Sequence, residues 1–200
     1  MISTANLRRV VVAGVLLMLS AHLISLVMSG QGAMDTPISQ LSRSVGAGVH
    51  TVGLLVLAVV QVALAVVLAR SSNGSGLWTV AVWLLVFNGA CLLFIAFYFL
   101  NASDTQLVGP DANDPLAILA SSVGVIMGLL QRDLGRRAPL CAWINGFLFV
   151  LWLALIPVIP FIDASWLGAY ERTVGAILLL WLALLALLCP DSPHTETSWH

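Results

Sequence analysis

Six stretches of this chain stay apolar for long enough to cross a bilayer: Val10–Met28, Val49–Ala69, Leu77–Leu100, Pro115–Gln131, Leu140–Ile162 and Tyr170–Cys189. A helix needs about 20 such residues to traverse a hydrocarbon core of about 30 Å. The fourth, at 17 residues, is the shortest, and the third and fifth are long enough to tilt. Together they take up 124 of the 200 residues, which leaves no room for a separate soluble domain. In lipid every backbone N–H and C=O must be met internally, so helices are the form these runs take. The chain therefore reads as all-α: a polytopic six-helix transmembrane bundle, one domain over residues 1–190, with a polar tail over 191–200. Composition agrees, with 8% charged residues where soluble chains carry about 25%.

Charge sets the expected orientation. Arg8, Arg9, Arg70, Arg132, Arg136 and Arg137 flank helix ends that share one side, and only Arg43 and Arg172 lie on the other. Under the positive-inside rule both termini are then cytoplasmic. Asp35, Asp104, Asp111, Asp114, Asp163 and Glu171 fall on the outward side. Trp78 and Trp143 are expected in the inner aromatic belt, with Tyr98, Trp166 and Tyr170 in the outer one. Arg8-Arg9 ahead of an apolar run looks like a signal peptide, but the run is too long for a typical core and no cleavage site follows. It reads as a retained helix. Asp114 is expected to cap the fourth helix ahead of Pro115. Pro157 and Pro160 are expected to kink the outer end of the fifth.

Several functions are disfavoured at once. A formal charge of -1 gives no electrostatic reason to bind nucleic acid. All eight basic residues are arginine, which removes Schiff-base and P-loop lysine chemistry. Cys91, Cys141 and Cys189 have no CxxC spacing and lie in or beside apolar runs, as small buried hydrophobes do. No HExxH, GxSxG, P-loop or dinucleotide fingerprint is present. No catalytic residue, metal or cofactor is assigned. Asp35, Ser39, Ser42 and His50 do supply the residue types of a nucleophile, base and orienter, a coincidence that so many outward polar residues make cheap.

Polar residues inside the apolar runs carry the remaining information, because each must find a partner or face a cavity. His22, Ser25 and Ser29 are spaced to share one face of the first helix, and His50 and Gln61 one face of the second. Ser121, Gly124, Gly128 and Gln131 form a small and polar stripe on the fourth. Gln61, Asn88 and Asn145 read first as hydrogen-bonding glue between helices, with Gln61 and Asn88 at comparable depth for a direct pair. His22 and His50 are less readily explained by packing alone. Between the first two helices runs a polar segment from Asp35 to Arg43, leading to His50, while Glu171-Arg172 opens the sixth helix in the same leaflet. Arg43 and Arg172 are candidates to meet a phosphate headgroup, balanced by Asp35 and Glu171. The plainer reading is of ion pairs at a solvated rim.

Pro37-Ile38-Ser39-Gln40-Leu41-Ser42-Arg43 after a first helix, Asn113-Asp114-Pro115 opening the fourth, and Glu171-Arg172 before a leucine-rich sixth resemble a bacterial family of six-helix membrane proteins, domain of unknown function 998. The resemblance runs from about Arg8 to Cys189. That family is similar to a wider group that includes the damage-regulated autophagy modulator proteins. It implies a six-helix bundle in the plasma membrane and brings no established activity. Its members often carry a histidine early in the fourth helix. Leu116 to Ala120 has none, which counts against a shared metal or proton-relay site.

The leading functional expectation is a non-enzymatic protein that holds a membrane lipid or other apolar ligand in an outward-opening cleft of the bundle. Its ligand-binding candidates are Arg43, His50, His22, Ser39, Ser42, Asp35, Glu171 and Arg172. The rival is an integral-membrane enzyme acting on a lipid or isoprenoid, with His50 as acid or base. A transporter is disfavoured because no carboxylate lies within a helix core. A structural subunit, bound to another membrane protein or to a second copy of itself, is the remaining reading.

Overall fold

A computed structural model describes residues 2–30, 32, 34, 37–41, 44–72, 74–101 and 114–189, with backbone alone at 39–40, 99–101 and 114–118. Its helices are α1 (Thr4–Ser29), the short α2 (Ile38–Leu41), α3 (Ala47–Arg70), α4 (Gly76–Asn101), α5 (Asp114–Arg137), α6 (Pro139–Leu155) and α7 (Ala164–Leu188). No strand occurs among the described residues. The tail over 191–200 lies outside them.

Local chemistry accounts for the helix ends. Ser3 caps α1 by accepting the Asn6 amide at 3.2 Å, so the helix starts well before Val10 and carries Arg8 and Arg9 within it. Gly30 closes it in the left-handed conformation, φ 65°, which a residue with a Cβ adopts at a cost. Pro139 opens α6 where its missing N–H is no loss. Pro157 and Pro160 do more than kink the helix. The α-helix ends at Leu155 and the chain continues as a 3-10 segment, Ile156–Phe161. Two prolines three residues apart remove the N–H groups and the space for carbonyls that an α-helix needs.

The six long helices form a closed ring in chain order. Each packs on its neighbours, and α7 returns to α1 while also touching α3. Arg8, near the start of α1, donates to the carbonyl of Cys189 just past the end of α7, so the start of α1 and the end of α7 lie at one end of the bundle. That end also gathers Arg70, Arg132, Arg136 and Arg137. Arg70 donates to the Ile2 carbonyl at 2.7 Å, and Arg137 donates to the Ser71 carbonyl and covers the Trp78 ring at 5.6 Å. Leu64, Leu68, Leu85, Ile126, Leu130, Trp181 and Leu182 fill the centre. Outward-facing side chains are also apolar: Val27, Trp83, Phe94 and Trp143 are all more than two-thirds exposed, as lipid-facing residues must be.

Among the described residues five helices are long and apolar enough to cross a membrane, the 3-10 segment completing α6, and α5 is the exception. Its last two turns hold Arg132, Asp133, Arg136 and Arg137. Nevertheless α5 packs along both α4 and α6. Its Ala120 carbonyl accepts the Trp152 indole at 2.9 Å, and its Arg137 reaches Ser71 at the arginine-rich end. It is a full member of the ring whose charged turns project beyond the apolar zone.

Candidate functional site

Close approach of α1 and α3 builds the end of the bundle opposite the arginines. A Cβ on Gly46 would sit 2.6 Å from the Ser25 carbonyl oxygen, and one on Gly53 would sit 2.8 Å from the Met18 sulfur. Only glycine permits that crossing. Ser25 seals it by donating its hydroxyl to the Gly46 carbonyl at 3.0 Å. One turn back from Ser25, His22 meets His50 across the seam, with ring centroids 6.0 Å apart and planes at 62°. His22 is 9% exposed and His50 2%. Both nitrogens of His22 and Nδ1 of His50 have no hydrogen-bond partner. A buried polar group left in that state costs about 1–3 kcal/mol, and here there are three.

The loop from α1 to α3 is pinned to α7 beside this pair. The Ala169 amide donates to the Met34 carbonyl at 2.9 Å, and the Ile38 amide to the Glu171 carboxylate at 2.5 Å. Leu41 is fully buried. The Arg172 charge is close enough to act on His22. Thus His22, His50, Glu171 and Arg172 come together at one end of the bundle. Asp35, Ser42 and Arg43 lie outside the described residues, and of Ser39 only the backbone, in α2, is described. Among the described residues no three His, Cys, Asp or Glu gather as metal ligands do.

The other intramembrane polar residues divide differently from expectation. Asn145 is tied in three directions: its Nδ2 donates to the Met127 carbonyl at 2.9 Å and to Gln131 Oε1 at 2.7 Å, and its Oδ1 accepts the Trp181 indole at 2.8 Å. Gln131 in turn donates to the Ala142 carbonyl at 3.1 Å. That network is glue. Asn88, by contrast, does not pair with Gln61. Its Oδ1 accepts from Ser122 at 2.7 Å, leaving Asn88 Nδ2 and Gln61 Oε1 without partners. Gly124 and Gly128 do not bring backbones together either. They make room for the Trp152 and Phe149 rings.

Two aromatic assignments also change. Trp78 is 1% exposed, its indole donating to the Leu68 carbonyl at 2.7 Å under the Arg137 guanidinium. Tyr170 is buried and donates to the Leu155 carbonyl at 2.6 Å. Both anchor helix ends, so neither belongs to a belt. One functional candidate escaped the sequence reading altogether. Asp133 is 3% exposed with Oδ2 unpartnered. The step from Ile126 to Leu130 to Asp133 is the rhythm of one helical face, and that rhythm was the signal for it.

A ring of helices with apolar outward faces defines a multi-pass membrane protein. More narrowly, the chain belongs to the family described as "Protein of unknown function (DUF998)", whose model matches residues 11–188. No curated protein and no solved structure matches it.

Proposed function

We propose that this protein binds a membrane lipid or other apolar ligand through a polar group received at the end of the bundle opposite the arginine cluster, and that it performs no chemistry on it. The observation that carries this reading is the His22–His50 pair, with three ring nitrogens unpartnered inside a wall of apolar helices. A ligand bearing hydrogen-bond donors and acceptors satisfies those nitrogens. Arg172 supplies a cation for a phosphate or carboxylate, and Arg43, Asp35, Ser39 and Ser42 on the connecting loop complete the reception of the headgroup. With the positive-inside rule, the site faces away from the cytoplasm, and the membrane we infer is the plasma membrane that the family resemblance implies.

The test is mass spectrometry of lipids retained after mild detergent purification, comparing wild type with His50→Ala, His22→Ala and Arg43→Ala. One enriched species, lost in the variants, supports the reading. Bulk lipid in all four samples overturns it in favour of a structural subunit. A retained transition metal lost with either histidine overturns it in favour of a metal site.

A further inference from the structure

At the arginine-rich end, far from the histidines, a groove of about 540 Å³ runs between residues 74–77 and the last turns of α5. Its walls differ in charge in a way that specifies a ligand. One side is the start of α4, where the first amides have no carbonyl partner within the helix and the dipole is positive. Arg132 and Arg136, both exposed, stand across from it on α5. Among these cationic groups sits Asp133, part of the groove wall, 3% exposed and with Oδ2 unpartnered.

The orphan state of Asp133 has a visible cause. Arg137, one helical turn on and the natural i, i+4 partner, is committed instead to the Ser71 carbonyl and the Trp78 ring. A buried carboxylate oxygen without a donor is costly. A visitor to the groove that brings a donor satisfies it. That visitor must also suit two arginines and a helix N-terminus, so it carries an anion together with its N–H donors.

We propose that this groove binds a phosphoethanolamine-type headgroup, the ammonium on Asp133 and the phosphate between Arg132, Arg136 and the first turn of α4. Leu77 lines the groove and is 43% exposed, and Val80, on the same face of α4, is 49% exposed. Acyl chains of a lipid bearing this headgroup lie along that strip. The site is independent of the histidine end and goes beyond the function proposed for it.

The experiment is native mass spectrometry of the detergent-purified chain titrated with phosphatidylethanolamine, phosphatidylcholine and phosphatidylglycerol of matched acyl chains. Wild type is expected to hold phosphatidylethanolamine roughly tenfold more tightly than the other two, since only it offers both N–H donors and the phosphate. Asp133→Asn should erase that preference. Arg132→Gln with Arg136→Gln, both at exposed positions, should weaken phosphatidylethanolamine and phosphatidylglycerol alike, which keeps the test alive if the Asp133 variant does not fold. Soluble phosphoethanolamine identifies the source: displacement at equal concentration means the headgroup suffices, and failure to displace means the acyl strip is needed. Equal retention of the three lipids, an unchanged preference in Asp133→Asn, or undiminished binding in the arginine variant overturns the proposal.

Discussion

The Trp181 indole donates to Asn145 Oδ1 across 2.8 Å, joining α7 to α6, while the same asparagine's Nδ2 reaches α5. One side chain therefore holds three helices. Hydrogen bonds between membrane helices average about 0.6 kcal/mol and reach about 1.7. Asn145→Ala removes three and strands the groups that made them, so a loss of about 2–4 kcal/mol is expected in detergent unfolding. Trp181→Phe, which removes one, should cost less. An unshifted midpoint for Asn145→Ala would mean that the network positions nothing.

The α1–α3 seam offers a matched pair of substitutions. Gly46→Ala drives a methyl against the Ser25 backbone, which cannot swing aside, whereas the methyl of Gly48→Ala meets nothing within 4 Å. The first should destabilise by about 1–3 kcal/mol. The second should be neutral or stabilise by up to about 1 kcal/mol, as Ala for Gly does in a helix. Thermal unfolding of the two side by side separates close packing from helix propensity.

Unpartnered imidazoles trade stability for function. Replacing a buried, unsatisfied polar group by an apolar one of similar size is neutral or favourable. His22→Leu in delipidated protein should therefore unfold at the same temperature as wild type or higher. Adding retained lipid should then raise the wild-type midpoint alone. A large drop for His22→Leu without lipid would show that the ring already has a stabilising partner within the protein itself.

Asp163 gives the pH dependence. It caps α7 by accepting the Ser165 amide at 2.9 Å and hydroxyl at 2.8 Å, and those bonds hold its carboxyl below the usual aspartate range. A carboxylate depressed by folding contributes above its unfolded pKa, and the contribution is lost as pH falls through the folded value. The protection of the Ser165 amide, its hydrogen-exchange rate set against the intrinsic rate at the same pH, should fall as the carboxylate protonates. Asp163→Asn keeps an acceptor and should abolish that pH dependence.

The arginine grouping predicts sidedness. In a chain made cysteine-free at positions 91, 141 and 189, Ser75→Cys should react with a membrane-impermeant maleimide only from the cytoplasmic face, and Ser165→Cys only from the other. Reaction of Ser75→Cys from outside would reverse the orientation of both proposed sites.

What the sequence made legible was whatever depends on neighbours along the chain. Six apolar runs gave six helices, and counting rotation placed His22 with Ser25 and His50 with Gln61 on buried faces. Asn145 was recognisable as glue. Its partners were not, since Trp181 and Met127 come from helices whose relative height no local pattern records. Gln61 and Asn88 share a depth, yet a small rotation of α4 gives Asn88 to Ser122. Trp78 had the position of a belt residue, and only Arg137, 59 residues away, makes it a buried anchor. Asp133 is hard to read from sequence because it stands among Arg132, Arg136 and Arg137, as a solvated acid does, while its own face has the spacing of a core.

The bond from Arg8 to Cys189 spans nearly the whole chain. On a ribosome Arg8 emerges well before its acceptor, and at about 5–20 residues per second the two are separated by roughly 10–40 s. Until α7 is made α1 has at most α3 to lean on, and the ring stands open. Closure therefore waits for α7, and a chain that stalls or is clipped within that helix leaves a gap in the wall that proteases and chaperones of the membrane can read.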